Sequence, residues 1–127
     1  MRVAGEKGAV QAAYLGKSVC VIDKGPAGGA WVNTGTIPSK SLRESALYLS
    51  GIRTRAIDGM LHPNPGPVKI NTLMAHKDRV CSEESTRVEA NLDQHKATVF
   101  NGTASIVNPH TVLVRCSDGQ ELSLDTE

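Results

Sequence analysis

The sequence predicts an α/β fold, and three observations carry that reading. The run Val19-Cys20-Val21-Ile22 is continuously apolar, which marks a strand covered on both faces rather than a half-exposed one. Helical patterns lie on both sides of it, and a loop with four glycines, residues 24–35, follows it directly. From Ala97 onward, short β-prone runs are separated by turn signals, which reads as a C-terminal β-meander. The order helix, strand, glycine-rich loop, helix, long helix, strand is that of a βαβ unit entered after its first strand.

Each element has its own signal. Glu6 to Leu15 is alanine-rich and is closed by Gly16, a helix with a glycine stop. Ser18 to Asp23 is the strand. Lys24 to Gly35 is loop, with Pro26 among its glycines. A second helix begins near Ile37 or Pro38 and ends at Ser50, before Gly51; Thr36 is placed to cap it. Leu42, Ala46 and Leu49 form its apolar stripe at i, i+4 and i+7. Asp58 to Val68, with three prolines and two glycines, is a surface excursion.

A long helix runs from about Thr72 to Asp93, roughly 33 Å at the α-helical rise. Met74, Cys81 and Val88 mark one side, and Glu83 can pair with Arg87. Their heptad spacing is no coiled coil, because the companion row holds Lys77, Asp78, Glu84 and Ser85. Ala97–Phe100, Ala104–Val107, Thr111–Arg115 and Glu121–Leu124 read as strands. Asn108-Pro109 and Asp118-Gly119 supply turns.

Composition narrows the function. The chain has 127 residues, 39% of them hydrophobic and 21% charged, as in an ordinary one-domain globular protein. Its only aromatics are Tyr14, Trp31, Tyr48 and Phe100, so the core must be aliphatic and alanine-built. A net charge of +1 gives no electrostatic case for nucleic acid or an anionic membrane. No apolar run reaches signal-peptide or membrane-spanning length. Cys20, Cys81 and Cys116 are odd in number and far apart, which predicts neither a disulfide framework nor a metal site, and a reducing, cytoplasmic setting. Cys20 is expected to be a buried small hydrophobe. His62, His76, His95 and His110 follow no ligand spacing, and there is no P-loop or nucleophile elbow.

The candidate binding residues follow from what a dinucleotide demands. Its Gly-x-Gly-x-x-Gly turn brings backbone N–H groups to the pyrophosphate. Only the end of such a turn is present: Gly5 occupies the third glycine's place, Arg2 the second's, and the first would precede Met1. Asp23 ends the first strand at the spacing of the acidic residue that accepts from ribose hydroxyls. Lys24 and Gly29 lie just beyond it. A solvated aspartate is the alternative for Asp23 taken alone, and an ordinary turn is the alternative for Gly5.

The run Gly28-Gly29-Ala30-Trp31-Val32-Asn33-Thr34-Gly35-Thr36-Ile37-Pro38-Ser39-Lys40 resembles the flavin-facing segment of the flavoproteins that include dihydrolipoamide dehydrogenase and glutathione reductase. In that family the segment carries two redox cysteines; here Trp31 and Thr36 fill their places, which excludes dithiol chemistry at this segment. Thr34 to Gly51, with its Leu42-Arg43-Glu44 helix, is more similar to the soluble, flavin-dependent pyridine nucleotide transhydrogenases. Weaker similarity runs from Ala104 to Val114.

The resemblance implies FAD as cofactor and NADPH and NAD+ as the dinucleotides exchanging hydride through it. It implies Lys40 as the catalytic cation near the flavin N5. At about 4 Å and an effective dielectric near 20, such a cation contributes on the order of 4 kcal/mol. Thr34, Gly35 and Thr36 would lie along the ring, and Thr103 and Ala104 against the adenine; a plain turn at Asn101–Ala104 is an equal alternative. On this reading residues 1–127 are one FAD-binding, Rossmann-like domain lacking its first strand. The NAD(P)-binding and dimerisation domains have no counterpart, and a homo-oligomer is possible only as the family's property. The alternatives are a non-catalytic remnant or binding module without FAD and a divergent dihydrolipoamide dehydrogenase-like reductase, against which Trp31 and Thr36 speak.

Overall fold

A computed structural model describes residues 3–54 and 67–126. In chain order these form α1 (Val3–Tyr14), β1 (Cys20–Asp23), α2 (Gly29–Asn33), α3 (Thr36–Thr54), α4 (Ile70–Gln94), β2 (Thr98–Asn108), β3 (Thr111–Cys116) and β4 (Glu121–Asp125). The strands make one sheet of order β1-β2-β3-β4. β1 and β2 are parallel, with Cys20 opposite Thr98 and Asp23 opposite Asn101. β2 to β4 form the expected antiparallel meander.

The core sits where α1 and α4 cover the parallel pair. Ala9, Val88, Leu92 and Ala97 are buried together, with Val10, Val19, Val21 and Ala27 packed against them. It is aliphatic, as the scarcity of aromatics requires. Leu92 is fully buried, and a side chain of that kind contributes about 1.5–3 kcal/mol through lost water contact. α1 is also tied to α4 by polar atoms: Asn91 Nδ2 donates to the buried Glu6 carboxylate at 2.7 Å. Without that donor the burial of Glu6 would be costly.

Several expectations need correction. α1 begins at Val3, so Gly5 lies inside its first turn. The loop after β1 contains the short helix α2, too brief to show periodicity. α3 continues through Gly51 to Thr54; a glycine costs a helix only about 1 kcal/mol and stops it only where the backbone turns left-handed. The stripe of α3 is Leu42, Ser45 and Leu49, whereas Ala46 is exposed. Thr36 is the first helical residue rather than the cap; the Gly35 carbonyl accepts the Ser39 amide at 3.3 Å and takes that role.

On α4, Glu83 lies 3.9 Å from Arg79, and Arg87 pairs with Glu84 one turn back. Cys81 and Val88 are buried, but Met74 is largely exposed. Ala97–Phe100 and Ala104–Val107 are not separate strands. β2 runs through Asn101–Ala104 without a turn, because Gly102 lets β3 approach. A Cβ there would stand 2.3 Å from the Arg115 carbonyl oxygen. Cys20 is exposed. It alternates with Val19 and Val21, which face the helices, and its strand is at the edge of the sheet. The excursion expected at Asp58–Val68 lies almost wholly outside the described residues, as does His62.

Candidate functional site at the strand ends and the start of α3

Ligands of open α/β sheets bind beyond the carboxyl ends of parallel strands. Here that end presents Asp23 and Asn101 side by side. Asp23 Oδ1 accepts the Gly25 amide at 3.0 Å, an Asx turn that bends the chain away from the strand end. Asn101 Oδ1 accepts the Ser117 hydroxyl at 2.8 Å, and its carbonyl accepts the Ser117 amide at 2.9 Å. Both side chains are therefore held before any ligand arrives. Lys24 is exposed beside them.

The chain next enters α2 through two left-handed glycines, Gly28 at φ 86° and Gly29 at φ 55°. Gly28 must be glycine on a second count, since a Cβ would stand 2.2 Å from Val32 Cγ2, and Val32 is fully buried. The helix is fastened from within and without. Asn33 Nδ2 donates to the Ala27 and Gly29 carbonyls, each at 3.0 Å. Ser85 Oγ, on α4, donates to the Ala27 carbonyl at 2.9 Å and lies 3.5 Å from Asn33 Oδ1. Each such bond has a net worth of about 1 kcal/mol.

The fastened helix delivers Trp31, Thr34, Gly35 and Thr36, all exposed, to the start of α3. Gly35 lies flush against the preceding turn, where a Cβ would meet the Ala30 carbonyl oxygen at 2.8 Å. Thr36 and Lys40 are four residues apart on α3 and so share a face. Lys40 lines a groove of about 870 Å3 between α3 and α4, with Ile37, Tyr48, His76 and Arg79. Asp23 is not among that groove's residues. Ser41 Oγ is buried beside the groove with no hydrogen-bond partner among the described residues.

The candidate residues thus fall into groups. Asp23, Lys24 and Gly29 stand at the strand end, Thr34, Gly35, Thr36 and Lys40 at the start of α3, and α2 bridges the two. Gly5 is apart, exposed in the first turn of α1. Thr103 and Ala104 are exposed on β2 beyond its pairing with β1, opposite Arg115 and Val114 of β3. Sequence reasoning missed Asn33, Ser85 and Asn101 as positioning residues. Asn33 was within reach, lying inside the motif; Ser85 is 52 residues from its partner and carries no local signal.

The donor set fits a flavin dinucleotide in kind. A carboxylate at a parallel strand end suits ribose hydroxyls. Exposed threonines, a glycine with no side chain and one ammonium suit a planar ring that gains negative charge.

No protein-family profile matches this chain. It is 38% identical over 111 residues to the soluble pyridine nucleotide transhydrogenase of Mycobacterium bovis, a match covering 87% of this chain and 24% of that protein. The chain is a relative of the soluble pyridine nucleotide transhydrogenases. It is also 34% identical over 121 residues to the dihydrolipoyl dehydrogenase of Bacillus subtilis, covering 94% of the chain and 26% of that protein. The chain spans about a quarter of the length of these relatives.

Two solved structures share the fold over 96% of the chain. One is the flavoprotein disulfide reductase RclA of Escherichia coli, with a TM-score of 0.74 at 22% identity; the chain covers 24% of it. The other is LpdA of Mycobacterium tuberculosis, with a TM-score of 0.81 at 19% identity, of which the chain covers 27%. The expected fold class, a partial Rossmann-like domain with a meander, therefore holds. Among the described residues no helix is long and apolar enough to cross a membrane.

Proposed function

We propose that this chain is the flavin-cradling part of an oxidoreductase that passes hydride from NADPH to NAD+ through FAD. The observation that carries the reading is α2, fastened so that it joins a ribose-type carboxylate, Asp23, to the cysteine-free Thr34-Gly35-Thr36 edge and Lys40. The relatives include both a transhydrogenase and a dihydrolipoyl dehydrogenase. The absence of thiols at Trp31 and Thr36 favours the first. All three cysteines are free, which supports a reducing, cytoplasmic setting.

A bound flavin supplies the centre that accepts and returns hydride. The chain's own residues bind and orient. Asp23 accepts hydrogen bonds from the ribose while its other contact, to Gly25, keeps it in place. Thr34, Gly35 and Thr36 offer hydroxyls and a flat backbone to one ring edge. Lys40, from the first turns of α3, favours negative charge near the reacting end. Thr103 and Ala104 belong to the same proposal as adenine contacts, and Gly5 as the close-packed end of a phosphate turn.

Two measurements test this. Purified chain mixed with FAD should retain flavin through gel filtration, and a colourless eluate would refute cofactor binding. NADPH-dependent reduction of thionicotinamide-NAD, expected to be slight for these 127 residues alone, tests the reaction, and no signal from the full gene product with added FAD would count against it. A colourless eluate would favour the second reading, a non-catalytic remnant or binding module without FAD.

A further inference from the structure

Trp31 enters the function above only as a position without a thiol. It is the only tryptophan in the chain. It is 40% exposed, although an indole is the costliest side chain to leave in water, and no ring partner for it occurs among the described residues. Its neighbour Val32 is fully buried. The backbone beneath it is held by two bonds from Asn33 and one from Ser85 and passes through two left-handed glycines. Gly35 is pressed against the same turn, with its absent Cβ position 3.9 Å from Trp31 Cα, so it adds no side chain there. A large flat aromatic has been set on a rigid mount next to a flush glycine.

We propose that Trp31 is the stacking platform for the planar ring of the flavin, standing where a redox thiol would otherwise stand. This rests on the FAD-binding reading and deepens it. An indole offers an extended, electron-rich π-face, which favours offset stacking on an electron-poor ring. It has no chemistry by which to form or break a disulfide, so the same side chain binds the cofactor and closes the dithiol route. Because the mount is preorganised, little order is lost on binding.

The experiment compares FAD bound to the unaltered chain, to Trp31→Phe and to Trp31→Ala, with binding followed by ultrafiltration and the flavin's own emission read separately. Contact with an indole quenches flavin emission by electron transfer, and phenylalanine stacks without quenching. The bound flavin is therefore expected to be dark in the unaltered chain and several-fold brighter in Trp31→Phe at near-unaltered affinity. In Trp31→Ala it should be bright and roughly 2- to 10-fold more weakly held. The far-ultraviolet circular dichroism of all three should coincide, since the indole is exposed. FAD bound but bright in the unaltered chain, or equally dark in Trp31→Phe, overturns the stacking proposal and leaves the binding reading standing. No FAD retained by any of the three overturns both.

Discussion

At the scale of single residues, Asp23 is the sharpest test of the site. Its carboxylate is fixed by Gly25 and stands in register with Asn101. Hydrogen bonds to a charged group are worth about 1.5–3 kcal/mol, so Asp23→Ala should weaken FAD binding roughly 10- to 100-fold. Asp23→Asn, which can still accept from Gly25, should fall between the two. Titration followed by flavin anisotropy measures both. Lys40→Met should leave binding nearly intact and slow hydride transfer roughly 10- to 100-fold, less than the full Coulombic figure because the ammonium is exposed. Single-turnover absorbance of the FAD-loaded protein separates those two effects.

Single residues also show what a sequence can say. The place of Asp23 at the end of β1 was legible because strand, glycine-rich loop and acidic end lie within a few residues. Cys20 was not. An apolar run cannot tell a strand covered on both faces from one at the edge of a sheet, and the neighbours that decide it, Thr98 and the helices, are remote in the chain.

At the scale of elements, α2 governs the site and was invisible in advance. A five-residue helix has no periodicity to detect, and its shape is set by Asn33 and by Ser85 from another helix. The long α4 was legible because its apolar positions recur over many turns. Ser85→Ala should cost about 1 kcal/mol of stability and, by loosening α2, weaken FAD binding more than its distance from the ligand suggests. A denaturant midpoint and a binding titration on the same sample distinguish the two effects. Leu92→Ala, in the fully buried face of α4, should cost about 2–5 kcal/mol. Should the variant keep its midpoint in urea, the core assigned to α1, α4 and the parallel pair is wrong.

β2 carries the second lesson about elements. Asn101-Gly102 looks like a turn because glycine and asparagine are turn formers. The structure uses glycine for a different property, the absence of a side chain where β3 crosses closely. The same residue type serves either purpose, and only the partner strand decides which. Gly102→Val should therefore disrupt the meander more than the core, lowering thermal stability while leaving α1 and α4 folded by circular dichroism.

At the scale of the whole molecule, two units share one sheet: a helix-covered parallel pair and an antiparallel meander, joined by the single long strand β2. Of the proposed binding groups, Asp23, Thr34 to Thr36 and Lys40 lie with the first unit and Thr103 and Ala104 with the second, which also holds Asn101 steady through Ser117. Thiol labelling reports on that arrangement. Cys20 should react with a maleimide in the native protein and Cys116 more slowly, while Cys81, buried on α4, should wait for unfolding. Mass spectrometry of the labelled peptides gives the order, and early modification of Cys81 would contradict the packing of α4.

The position of β1 at the rim of the sheet has an isotopic signature. In a parallel ladder, alternate amides of a strand point to either side. Those of β1 that point towards β2 are paired, and the intervening ones meet no neighbouring strand among the described residues. In deuterated buffer, β1 should therefore exchange in a one-in-two rhythm, slow and fast by turns, while β3, paired with β2 on one side and β4 on the other, stays protected along its length. Docking of any further strand against that rim would silence the fast half, so the rhythm itself becomes a gauge of whether the sheet has been extended.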